Sequence, residues 1–274
     1  MPKKKHDFHI LEPSPLPVLA SFAAFSLALG IIGFISSWST GIWGIAAGIL
    51  ITAAIMTFWW RDVIKEAIID RAHNKTVQKG LRIGMALFIL SEIMIFAVFF
   101  ASFFNAWLDP VAILEGDWPI KKGIWPPPGI EIIDPWDLPF TNTLILLLSG
   151  TTMVWAQHAL MEKDRKNLIT ALSLTIILGI MFTGLQAAEY LHASFRLGQE
   201  DYSAIYPSNF FIATGFHGAH VIIGTIFIAI CLARAIKGHF DPENHLGFEF
   251  AAWYWQFVDV VWLFLFVFIY WFGS

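Results

Sequence analysis

Residues 81–107 read LRIGMALFILSEIMIFAVFFASFFNAW. As an α-helix this stretch is about 40 Å long at 1.5 Å per residue. That exceeds the roughly 30 Å of hydrocarbon in a bilayer. Its charged residues are Arg82, at one end, and Glu92, about 16 Å in. Six more runs are long and apolar enough to span: Leu16–Ser36, Ile42–Trp60, Phe140–Met161, Leu168–His192, Ser208–Ala235 and Phe248–Phe272. The pattern predicts an all-α polytopic membrane protein with seven transmembrane helices.

Composition agrees. Of the 274 residues 57% are hydrophobic and 14% charged, against about 25% charged in soluble chains. Mean hydropathy is +0.65. These values exclude a disordered chain, a nucleic-acid binder and an ordinary cytoplasmic enzyme. The single cysteine, Cys231, excludes an intrachain disulfide and a cysteine-ligated metal cluster. Lys3, Lys4 and Lys5 before an apolar run resemble a signal peptide, but Pro13, Pro15 and Pro17 intervene and the run is long enough to span. It reads as a retained helix.

Seven spans place the termini on opposite sides. With the N-terminus inside, all of the 17 Lys and Arg residues except Lys121, Lys122 and Arg196 fall on the inner side, as the positive-inside rule requires. The long outer segment Asp109–Pro139 is acidic and proline-rich, including Pro126-Pro127-Pro128, and is expected to be a stiff loop. The inner segment Arg61–Gly80 has mixed charge, so the second helix is expected to continue beyond the membrane. Trp59-Trp60-Arg61 suits an inner interface. Gly44 and Gly48 form a GxxxG pair that lets two helices approach.

Four ionisable residues lie deep: Glu92, His217, His220 and Asp259. Intramembrane charge costs at least a few kcal/mol, so each must face the bundle, pair or stay neutral. His217 and His220 share a helix face, as two metal ligands would, but a zinc or copper site needs three or four. Hydrogen bonds to neighbouring carboxyls or carbonyls are the simpler expectation. The flanking Gly215 and Gly218 suggest tight helix packing. Glu92 fits either a proton path or a neutral carboxyl bonded to another helix, with His217 or His220 as first choice. Asp259 is expected to find polar atoms on Gln256, Trp253 and Trp255. No span holds a lysine for a retinal Schiff base, and no G-x-S-x-G, H-E-x-x-H or Walker motif is present. These residues leave transporter, channel and complex subunit open.

Several stretches together resemble subunit III of cytochrome c oxidase across nearly the whole chain. They are Trp59-Trp60-Arg61-Asp62-Val63-Ile64, Val77-Gln78-Lys79-Gly80-Leu81-Arg82, Leu90-Ser91-Glu92, Trp125-Pro126-Pro127, Glu189-Tyr190, Ala213-Thr214-Gly215-Phe216-His217-Gly218, Trp253-Tyr254-Trp255 and Phe257-Val258-Asp259-Val260-Val261-Trp262-Leu263-Phe264. The resemblance implies one domain over residues 1–274, with helices one and two within about 16–70 and helices three to seven within about 80–272. A V-shaped, lipid-filled cleft would separate the two bundles. It implies no haem and no copper in this chain, redox cofactors in partner subunits, main contact with subunit I, and subunit II as a further partner. It implies stabilisation of subunit I and support of proton uptake at the inner surface. Glu92 matches the family's buried glutamate. Trp60, Lys65, Glu66, His73, Arg234 and Lys237 match positions that contact phospholipid headgroups.

Two alternatives stand beside this reading. A quinol oxidase subunit would resemble helices three to seven and lack the first pair, which is present here. A free-standing transporter would line its path with more polar residues. The implied location is a bacterial plasma membrane, with the mitochondrial inner membrane as the alternative. The charge asymmetry predicts an N-terminus on the cytoplasmic side and a C-terminus outside. Reporter fusions at the two ends should give opposite signals, and two signals from one side would break the seven-span reading.

Overall fold

The computed structural model describes residues 13–70, 72–110, 113–115, 118–121, 125–127, 130–197 and 205–273. Lys3, Lys4, Lys5, Arg71, Lys122 and Pro128, used above, lie outside them. Among the described residues seven helices are long and apolar enough to cross a membrane. They are α1 (Leu16–Ile35), α2 (Gly41–Ile68), α3 (Lys75–Leu108), α4 (Leu138–Met161), α5 (Arg165–His192), α6 (Ile205–Ile236) and α7 (Leu246–Leu265), which continues as a π-helical turn over Phe266–Trp271. As expected, α2 runs well past Trp60. The acidic segment departs from a plain loop. It contains an antiparallel hairpin of β1 (Ile113–Glu115) and β2 (Trp118–Lys121).

Helix ends follow local chemistry. Pro17 and Pro139 sit in the first turns of α1 and α4, where a missing N–H costs nothing. Asp164 caps α5 by accepting from the backbone N–H of Asn167 at 3.0 Å. Gly238 ends α6 with φ +73°, a conformation that side chains disfavour. There its N–H reaches the Ala235 carbonyl and the His239 N–H reaches Arg234.

The chain divides into two compact units, Met1–Arg82 and Ile83–Ser274. In the first, α1 and α2 pack along glycines. A Cβ on Gly48 would lie 2.7 Å from the Leu27 Cα, and one on Gly44 would lie 2.9 Å from the Gly30 Cα. The GxxxG pair thus serves the contact between these two consecutive helices.

The second unit has an aromatic core. Trp255 and Trp262 are fully buried. Their indole N–H groups donate to Ser149 Oγ and Thr143 Oγ1 on α4, each at 2.9 Å. The Trp255 ring fills space opened by two glycines. A Cβ on Gly179 or Gly224 would lie 2.8 Å from it. The tight approach is therefore at these two positions and not at Gly215 and Gly218. A Cβ on Gly218 would meet nothing within 4 Å, and one on Gly215 only the Tyr190 hydroxyl at 3.9 Å. Helix α3 joins the unit through long rings. Phe96 meets Phe257, Phe100 meets Phe264 and Phe104 meets Phe268, with centroids 6.1, 6.1 and 5.2 Å apart.

Gly48→Ala should lower the thermal stability of the detergent-solubilised chain, since the obstructing atoms are backbone and cannot turn aside. Overpacking typically costs about 1–3 kcal/mol. Gly84→Ala, with open space around its Cβ, is the control. Equal unfolding temperatures for the two variants would refute the packing argument.

Candidate functional site

A polar contact between helices joins Glu92 on α3 to His220 on α6. Glu92 Oε2 lies 2.9 Å from His220 Nε2. The other ring nitrogen, Nδ1, is 2.7 Å from the Phe216 carbonyl. A carbonyl can only accept, so Nδ1 carries a proton. Two arrangements follow for Nε2. Either it accepts from a neutral Glu92, or it donates to a carboxylate as part of an imidazolium. Both hold one shared proton and sum to zero charge, which is what an intramembrane pair requires. Phe96, Phe257, Phe216 and Tyr254 surround the imidazole at 5.2 to 6.1 Å between centroids.

His217 points elsewhere. Its Nε2 donates to the Val258 carbonyl on α7 at 3.1 Å, and its Nδ1 is buried without a partner among the described residues. The ring lies between Phe182 and Trp262. The two histidines thus serve different neighbours. Among the described residues no group of three or more His, Cys, Asp or Glu is placed to hold a metal ion.

Asp259 differs from expectation. It is 8% exposed, and Oδ1 has no partner among the described residues. Trp255 directs its N–H to Ser149 instead. The Asp259 carboxyl lies against Gly150, where a Cβ would collide with Oδ2.

A second buried network was not foreseen. Glu189 on α5 is 2% exposed. Its Oε1 accepts from the Tyr270 hydroxyl at 2.6 Å and from Gln186 Nε2 at 3.0 Å. Asn142 Nδ2 on α4 reaches Gln186 Oε1 at 3.4 Å. Glu189 sits close to the end of its apolar run, and its position in the sequence assigned it no partner. The available signal was its i, i+3 spacing from Gln186, which puts both on one helix face. Glu189 also lines a cavity of about 210 Å³, with Glu131, Asp134, Asp137 and His192 on its wall.

The inner-surface residues fall in two groups. In the first unit Trp60 is 52% exposed, Lys65 is exposed and Glu66 half-buried. His73 Nε2 lies 3.9 Å from Glu66 Oε2. In the second unit the Arg234 guanidinium stacks over Phe240 at 4.4 Å, and Lys237 is exposed. Arg165 donates to the Ile236 carbonyl at the end of α6. Burial, with Arg234 and Lys237 adding their charge, lowers the His239 imidazole below its ordinary range. The Asn167 N–H groups hold Asp164 below the usual carboxylate range.

A sequence model described as cytochrome c oxidase subunit III matches residues 6–274. The probable cytochrome c oxidase subunit 3 of Rickettsia bellii (strain RML369-C) is 60% identical over 273 residues, covering 99% of this chain and 97% of that protein. The cytochrome c oxidase subunit 3 of Prototheca wickerhamii is 50% identical over 271 residues, 99% of each chain. That of Dugong dugon is 48% identical over 274 residues, covering both chains completely.

Tyr270→Phe removes the shorter of the two hydrogen bonds to Glu189 and leaves a buried carboxyl under-satisfied. The expected loss is roughly 1–3 kcal/mol, read as a lower unfolding temperature of the solubilised protein. An unchanged temperature would show that the network contributes no stability.

Proposed function

The chain belongs to the cytochrome c oxidase subunit III family and is part of that oxidase's membrane complex, and on this premise we propose that it stabilises the catalytic subunit I and supports proton uptake at the inner surface. The family match over residues 6–274 carries this reading. Subunit I is its main partner and subunit II a further one, and those partners hold the haem and copper. The chain itself binds neither. The divergence of His217 and His220 supports that statement, since one serves α7 and the other α3.

Phospholipids bind at the inner ends of the helices. In the first unit Trp60, Lys65, Glu66 and His73 hold headgroups, and in the second Arg234 and Lys237 do so. Supporting this are the exposed Trp60 ring and the exposed Lys65 and Lys237 ammonium groups, which suit headgroup depth. The chain sits in a bacterial plasma membrane with its N-terminus cytoplasmic. The excess of Lys and Arg in the inner segments supports this orientation.

Glu92 tunes the oxidase through its shared proton with His220 and is not an obligatory carrier of pumped protons. Its carboxyl ends on an imidazole whose other nitrogen is bound to the Phe216 carbonyl. That bond offers no further protonatable side chain to which the proton could move.

Affinity purification of the tagged chain in mild detergent tests the assembly reading. It should bring haem-containing partners with an oxidase spectrum, and a chain that comes alone overturns the proposal. In the assembled complex Glu92→Gln should keep oxygen reduction largely intact and pumping at least partly preserved. Proton-to-electron stoichiometry in vesicles measures this, and complete loss of pumping would make Glu92 an obligatory relay.

A further inference from the structure

We infer that the face of α7 carrying Gln256 and Asp259 is where a membrane helix of another oxidase subunit docks, bringing a hydrogen-bond donor to mid-bilayer depth. The inference rests on the chain's place in an assembled oxidase.

Helix α7 with its π-helical turn spans Leu246–Trp271. Asp259 lies about 20 Å from the start of that span, at its centre, and Gln256 is one turn earlier. The Gln256 side chain is exposed and makes no hydrogen bond among the described residues. Asp259 is 8% exposed, its buried Oδ1 has no hydrogen-bond partner among the described residues, and its carboxyl fills the notch left by Gly150. Val260 and Phe264, both about half exposed, flank the pair.

Lipid tails cannot cover such a surface without loss. An unpaired amide in hydrocarbon costs roughly 2–7 kcal/mol, and a carboxyl at the centre of a span adds its own penalty. A polar side chain on a neighbouring helix removes both costs. The partner's chemistry follows from the groups on offer. A carboxyl oxygen needs a donor, and an amide takes either a donor or an acceptor. Asn, Gln, Ser, Thr, Trp or Arg fits, and an all-aliphatic helix does not.

Other exposed faces contrast with this one. Ile177 and Ile180 on α5 and Ile222 and Ile226 on α6 are apolar and suit lipid. Ser91 on α3 is exposed, but its hydroxyl already donates to the Phe88 carbonyl.

The test uses the intact oxidase, with benzoyl-phenylalanine placed at Gln256 and, separately, at Ile226. Irradiation at position 256 should cross-link the chain to one other oxidase subunit, within a membrane span that carries a polar donor near the attachment point. Position 226 should give lipid adducts. Lipid adducts alone at 256, a cross-link to a second copy of this chain, or one to an all-aliphatic span overturns the inference. If the variant at 256 does not assemble, the same reagent at Val260, on the same face, gives the readout. Gln256→Leu should speed detergent-driven release of the chain from the complex by roughly threefold to tenfold, whereas Ile226→Leu should not, and equal rates refute the proposal. Haem content is measured in the same samples. A chain that never co-purifies with haem sinks the assembly reading itself, while a haem-containing complex without the cross-link sinks this face alone.

Discussion

Inside a bilayer, a polar group that loses its partner has no water to turn to. That constraint organises the described structure. It makes every span helical, because only a helix satisfies the backbone within one segment. It also explains where side chains go. Thr143, Ser149 and Thr175 return their hydroxyls to carbonyls of their own helices. Trp255 and Trp262 then donate to two of those same hydroxyl oxygens, so α7 is keyed to α4 at two levels. His217 is tied to the backbone of α7.

Shape completes what hydrogen bonds begin. With no strong hydrophobic drive between helices in lipid, close packing has to hold them. The two units achieve it differently. In the first, glycine backbones of α1 and α2 meet directly. In the second, glycines on α5 and α6 receive the large Trp255 ring. Small beside large fills space as fully as small beside small, and it places an indole where its N–H can reach α4.

The same economy of partners bears on function. The Glu92–His220 contact keeps two ionisable groups at mid-membrane depth by sharing one proton. His217 and His220 are only three residues apart, yet they are turned to different helices. An arrangement of this kind holds protonatable groups without bringing three metal ligands together among the described residues. Gln256 is exposed beside Asp259, and neither the Gln256 amide nor Asp259 Oδ1 finds a hydrogen-bond partner among the described residues.

Much of this was legible in the residues alone. Seven apolar runs of spanning length fix seven helices, because the thickness of the hydrocarbon sets the length. The deep placement of Glu92, His217, His220 and Asp259 followed from counting along each run. A histidine as partner to Glu92 followed from the scarcity of polar groups at that depth. What counting could not supply was which way each face turns once the helices pack. That choice made His220, and not His217, the partner of Glu92. It buried Glu189 near the end of its run, left Asp259 beside Gly150, and moved the tight packing from Gly215 and Gly218 to Gly179 and Gly224. Depth in the membrane is a property of one helix and its sequence. Direction is fixed only when neighbouring helices compete for the same few partners and the same volume.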